Sequence, residues 1–135
     1  MQKQTIFLAI FIFQLATGKA QQVAEANTKK PMDKIIFVAG GGLNKTYINY
    51  VAGLTNKPNP KICFVPTATG DSPNTILNWY TNCEDLPIRP YVMRSFINSN
   101  TTLQSFEETI MSMDAIIVGG GNTLNMMAIW KVQGI

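Results

Sequence analysis

Three short apolar runs, each rich in β-branched residues and each broken by glycine or proline, limit what this chain can become. Lys34–Ala39 (KIIFVA) runs into Gly40, Gly41 and Gly42, Lys61–Val65 (KICFV) into Pro66, and Asp114–Val118 (DAIIV) into Gly119, Gly120 and Gly121. Continuous rather than alternating apolar runs of this length suit strands covered on both faces, the habit of parallel sheets. All three are therefore expected to be buried strands. Ile88–Phe96 is a fourth candidate, weakened in its first half by Pro90, which cannot donate to a ladder.

The stretches between the runs read as helices. Tyr47, Ile48, Val51 and Leu54 fall at helical spacing before Asn56–Pro60 closes the segment. Ser72–Pro73 reads as a cap followed by a first-turn proline, with Ile76, Leu77 and Tyr80 as the apolar face. Leu103, Phe106 and Ile110 repeat the spacing, and Thr123–Val132 starts another helix with Leu124, Met127 and Ala128 inward. The resulting order, βαβαβαβα, implies right-handed crossovers and an α/β fold, a parallel sheet flanked by helices. Ligands of such sheets bind beyond the carboxyl ends of the strands. The loops Gly40–Asn44, Pro66–Pro73 and Gly119–Thr123 are thus expected on one rim.

Residues 1–20 have the layout of a secretory signal peptide: Lys3, an unbroken apolar run over Ile6–Phe13, then Gly18 and Ala20 three and one before a cut at Gln21. The run is much shorter than the ~20 apolar residues of a membrane span. The expectation is an exported protein, periplasmic or extracellular, with no membrane association after cleavage and a flexible lead-in over residues 21–33. Two of the eleven Lys and Arg residues, Lys3 and Lys19, fall in the removed segment, leaving nine against eight acids. No basic stripe remains, which argues against nucleic acid as a partner. Cys63 and Cys83 make no disulfide framework and lack metal-ligand spacing, and Cys63 inside Ile62–Val65 reads as a small core residue. The chain has no histidine, the commonest metal ligand, so no metal site is expected.

The first glycine loop, AGGGLNK, departs from the dinucleotide pattern: from Gly40 and Gly42 the third glycine belongs at 45, where Lys45 stands. No Gly-Lys-Ser/Thr follows a strand either. No cofactor is expected, and a tight turn before a closely packed helix explains these glycines equally well. The last loop, VGGGNT, joins a strand to a helix start. Consecutive glycines there expose backbone N–H groups, Asn122 or Thr123 can cap the helix, and the helix N-terminus adds partial positive charge. Such donors suit a developing oxyanion, a carboxylate or a phosphate alike.

KIIFVAGGGL, KICFVPTATGDSPNTILNWY and DAIIVGGGNTLNMMAIW, in this order and spacing, closely resemble peptidase E, the alpha-aspartyl dipeptidase family of serine peptidases. That family has the class I glutamine amidotransferase-like fold, a flavodoxin-like arrangement. The resemblance covers about residues 34–135. VGGGNT before an apolar helix carrying a Trp is its most specific element, and PTATGDS the second. It implies a serine-type peptidase hydrolysing short peptides, in several members dipeptides with N-terminal aspartate. By the same resemblance Gly120 and Gly121 would donate oxyanion-hole N–H groups, with Gly119, Asn122 and Thr123 shaping the site. The segment Thr67–Ser72, with Thr69 and Asp71, would border the substrate pocket, joined by Gly41 and Gly42.

The departure matters as much. The family's nucleophilic serine sits in a Ser-Ala-Gly turn after the next strand, with the histidine later still, and this chain contains neither. A hydroxyl nucleophile needs a base. Ser72 is the best-placed local serine, but an elbow nucleophile uses the N–H of the following residue and Pro73 has none. Ser95, Ser99, Ser105 and Ser112 lie in no glycine-rich turn. The expectation is an N-terminal portion of about four βα units with no catalytic residue of its own, inactive alone. Val132–Ile135 reads as a helix stop and the start of a further segment. The alternative is a non-catalytic α/β module that holds a small anionic ligand at Gly119–Thr123.

Overall fold

A strand without an outward polar face can be covered only if helices pack on both sides of it. Lys61–Val65 meets that demand at the centre of the molecule, where Ile62, Cys63, Phe64 and Val65 are all buried. The computed structural model describes residues 34–96 and 105–135; the expected signal peptide and lead-in, Ser99 and Leu103 lie outside the described residues. In chain order the elements are α1 (Lys45–Leu54), β1 (Lys61–Val65), a 3-10 turn (Thr67–Thr69), α2 (Pro73–Cys83), β2 (Arg89–Val92), α3 (Phe106–Met111), β3 (Ala115–Val118) and α4 (Thr123–Gln133).

The sheet is parallel, with β1 between β2 and β3. Period-two side chains divide its packing into two layers. On one face Ile62 and Phe64 pack with Ile48 and Ala52 of α1 and with Trp79 and Cys83 of α2. The Phe64 and Trp79 rings stack there with centroids 5.3 Å apart. On the other face Cys63 and Val65 meet Met93, Phe106 and Ile110 of α3, and Trp130 of α4. This is the expected class, a parallel sheet flanked by helices.

The doubtful candidate is a real strand. Arg89 N–H donates to Pro60 O and Met93 N–H to Phe64 O, so alternate residues of β2 face β1. Pro90 falls in the other phase, and its missing N–H lies on the outer edge of the sheet. Proline is tolerated at such a place. At the amino end of the sheet, Asp114 Oδ2 accepts the Lys61 N–H at 2.8 Å, while the Lys57 ammonium pairs with Oδ1.

Four expectations need correction. Lys34–Ala39 forms no strand, so the described residues hold three strands rather than four. Ile36 and Val38 are almost fully exposed, and Phe37 leans on the Tyr47 and Tyr50 rings. An apolar run calls for burial, but only a neighbouring strand with open hydrogen-bonding groups makes it a strand, and no ladder forms here. Second, β2 and β3 are not covered on both faces as β1 is; Ile116 and Val118 remain substantially exposed. Third, the inward faces of two helices are rotated. α2 buries Trp79 and Cys83 while Leu77 and Tyr80 are exposed, and α4 buries Met126 while Leu124, Met127 and Ala128 are exposed. The stack on Phe64 sets the rotation of α2, and contacts with the 3-10 turn set that of α4. Fourth, Ser72 occupies the N-cap of α2 but its side chain makes no capping hydrogen bond; the helix start rests on Pro73 and on the Ile76 N–H to Ser72 O bond.

Candidate functional site

The strand order places a crossing point at β1. The chain leaves β1 for one neighbour, β2, and later returns on the opposite side as β3. The helix after β1 covers one face and the helix after β3 the other. Loops that diverge in this way leave a crevice at the carboxyl ends of the strands, where ligands of open α/β sheets bind. The loops that flank this crevice are Pro66–Ser72 and Gly119–Asn122.

Their backbones are locked together. Gly119 N–H donates to Val65 O at 3.0 Å, continuing the β1–β3 ladder by one residue, and Asn122 N–H donates to Ala68 O at 2.8 Å. Between these anchors Gly121 adopts φ +144 and passes so close to the 3-10 turn that a Cβ there would lie 2.4 Å from Ala68 O. Only glycine fits both the dihedral and the space. At Gly119 a Cβ would meet the Phe64 ring at 3.0 Å, whereas Gly120 has open space. α4 then starts with the Asn122 side chain accepting the Asn125 N–H at 3.0 Å. The N–H groups of Gly120 and Gly121 have no acceptor among the described residues. Two adjacent backbone donors beside a helix N-terminus can hold an anion or a developing oxyanion.

Behind the crevice lies a buried polar cluster. Thr67, Asp71 and Ser95 are at most 1% exposed. The Thr67 and Ser95 hydroxyls share a hydrogen bond, and the Trp130 indole N–H donates to Thr67 Oγ1 at 3.1 Å. Asp71, at φ 52, accepts the Phe96 N–H on Oδ2 at 2.7 Å, leaving Oδ1 buried without a partner. Aspartate tolerates the left-handed region better than most residues. Its carboxylate ties the segment after β2 to the loop after β1.

The residues singled out in the sequence are therefore distributed as follows. Gly119, Gly121 and Asn122 lie against the end of β1 and the 3-10 turn that opens with Thr67, with Gly120 between them, while Asp71 and Ser72 follow that turn in the same loop, Asp71 bonded towards the segment after β2. The Gly119 and Asn122 amides are already engaged, which leaves Gly120 and Gly121 as the donors within the loop, beside the open first amides of α4. Thr123 is the exposed first residue of α4, and Thr69 is exposed with its hydroxyl on Pro66 O. Gly41 and Gly42 are exposed with open space around them, and no described hydrogen bond joins them to the other two loops. Sequence reasoning missed Ser95, Trp130 and the Ala68 carbonyl. Ser95 follows a strand at its carboxyl end, which is the signal that could have placed it on the rim.

Burial pushes the Cys63 and Cys83 thiols up to about 11, and both are free cysteines. Among the described residues no group of three His, Cys, Asp or Glu side chains could hold a metal ion, and no helix is long and apolar enough to cross a membrane.

Residues 32–135, which carry all of these elements, match peptidase family S51. The chain belongs to peptidase family S51. This is the peptidase E family that the glycine-loop motifs resemble. The S51 chain is also 38% identical over 109 residues to the uncharacterized peptidase YgaJ of Bacillus subtilis, an alignment covering 77% of this chain and 46% of that protein. It thus spans about half the length of the curated relative it matches. No solved structure matches it.

Proposed function

We propose that the whole protein is a serine-type peptidase that hydrolyses short peptides, with N-terminal aspartate among the accepted first residues. In this reading the present chain supplies the oxyanion donors and one wall of the substrate pocket. The observation that carries it is the pair of Gly120 and Gly121 amides, without acceptors among the described residues and pinned at the start of α4 by Ala68. Attack on a peptide carbonyl creates negative charge on its oxygen, and preorganised N–H donors stabilise that charge more than they stabilise the ground state. Membership of a peptidase family supports the chemistry. A serine hydroxyl requires a base, most often histidine, and these 135 residues include no histidine. The 135 residues alone are therefore expected to be inactive. The layout of residues 1–20 supports export as the location of the activity.

The test is dipeptide hydrolysis by the full-length protein and by residues 1–135 alone, with aspartyl dipeptides among the substrates. Turnover is expected from the first only, and a serine-directed phosphonate should abolish it. Turnover by the 135 residues alone, or none by the full-length protein on any short peptide, refutes the reading. The second reading, an anion-binding module without catalysis, draws on the same helix N-terminus and the missing histidine. It calls for carboxylate binding without turnover by the full-length protein.

A further inference from the structure

We infer that Thr67 is a positioning residue for the Gly120–Gly121 donors, acting through α4; the inference rests on the peptidase reading above. Two adjacent residues of the 3-10 turn hold α4 at two points. The Ala68 carbonyl takes the Asn122 N–H at the first residue of the helix cap, and the Thr67 hydroxyl takes the Trp130 indole N–H two turns further on. One anchor alone would let the helix pivot about its N-terminus. Two anchors about two turns apart along the helix fix both its position and its tilt.

The chemistry of the cluster makes Thr67 its hub. An indole N–H can only donate, so Thr67 Oγ1 must accept from Trp130. A hydroxyl retains one proton and a second lone pair, and these serve Ser95, which lies just beyond β2. The same residue's carbonyl accepts the Gly70 N–H at 3.0 Å and closes the turn. With Thr67 1% exposed, water does not substitute easily for these bonds. The loops after β1 and β2 and the last turn of α4 are thereby held through one oxygen atom. A tilt of α4 would carry its first residues with it and turn the Gly120 and Gly121 N–H groups away from the carbonyl they address. Small misplacements of reacting or stabilising groups are expensive in rate.

Thr67→Val keeps the shape and removes the oxygen, and Trp130→Phe removes the same hydrogen bond from the other side while keeping an aromatic ring. Thr67→Ser retains the hydroxyl. Thr55→Val serves as control: it deletes a buried hydroxyl bonded to Ala52 O at 2.7 Å, at the far end of α1. In the full-length protein, Thr67→Val and Trp130→Phe should lower kcat on the order of 10-fold or more, below the ~10²–10³ for outright loss of a donor. KM should change little, Thr67→Ser should restore most of the rate, and Thr55→Val should cost stability without touching kcat. Independently of activity, the Gly120 and Gly121 amide resonances should shift in Thr67→Val and Trp130→Phe and stay in place in Thr55→Val. Unchanged kcat and unmoved glycine amides in Trp130→Phe, or in a folded Thr67→Val, overturn the assignment. If wild-type protein hydrolyses no peptide, the peptidase reading fails and the amide shifts alone decide the role of Thr67, movement supporting it and no movement refuting it.

Discussion

Replacing Gly121 by alanine should be far more damaging than one methyl group suggests. The added Cβ would lie 2.4 Å from Ala68 O, 2.7 Å from Ala68 C and 3.1 Å from Ala68 Cβ. The first two atoms are backbone and cannot swing aside. Retreat of the glycine loop would relieve the clash only by stretching the 2.8 Å bond from Asn122 N–H to the same Ala68 oxygen. Loss of that bond costs ~0.5–1.5 kcal/mol, the overpacking ~1–3 kcal/mol, and a side chain at φ +144 ~1–3 kcal/mol of strain. These terms overlap, and a total of about 3 kcal/mol is reasonable. For a unit of this size ~4–8 °C per kcal/mol then lowers the melting temperature by roughly 12 °C or more. The assay is thermal and urea unfolding followed by circular dichroism. Gly53→Ala is the sign control: it sits exposed in the last turn of α1 with open space around it, and alanine there should gain stability by no more than the ~0.5–1 kcal/mol of a helix interior. A Gly121→Ala variant melting within a degree or two of wild type would refute the close approach on which the site rests.

Three further outcomes are expected. Because burial lifts Cys63 and Cys83 from 9.0 to about 11, neither should react with a thiol reagent at neutral pH until denaturant is added; since the folded values are raised, the stability these thiols contribute is full below about 9 and falls as pH rises towards 11. Rapid labelling of native protein would contradict this. Hydrogen bonds from the Lys57 ammonium and then the Lys61 N–H hold the Asp114 carboxyl below its usual range, so its contribution is present above ~4 and disappears as pH falls through the lowered folded value. Asp114→Asn should therefore lose about 1–2 kcal/mol at neutral pH, with the difference from wild type shrinking in acid; an equal loss at both pH values would count against the ion pair. Mass spectrometry of the exported protein should give an N-terminus at Gln21, and intact Met1 on cytosolic protein would count against export.

The elements most legible in the sequence are those whose signals are local. β1 and β3 announce themselves as β-branched runs closed by proline or glycine, and Asn122 caps α4 as its residue type suggests. The errors arise where a distant residue decides. KIIFVA has the composition of a buried strand, but no ladder partner is written into it. Pro90 argued against β2 because its position on the sheet edge cannot be read from its neighbours. Leu124, Met127 and Ala128 look as inward as Met126 and Trp130 until the Thr67 hydroxyl, over fifty residues earlier in the chain, selects the rotation of α4. The glycine loop was recognisable as a donor site, yet which of its amides remain available depended on Val65 and Ala68 across the crevice. Ser95 was dismissed for lacking a glycine-rich turn, a criterion for nucleophiles that says nothing about a buried hydroxyl.

Pro90 on the outside of β2 has a consequence for how molecules of this chain meet one another. That flank lacks a donor in the middle of a four-residue strand, and exposed Arg89 sits beside the gap. An incoming strand finds too few hydrogen bonds there to settle. The flank of β3 away from β1 carries no such obstacle, and its Ile116 and Val118 side chains are still substantially exposed. Strand addition is therefore directional. Among the described residues, Pro90 thus closes the β2 flank of the sheet to strand addition.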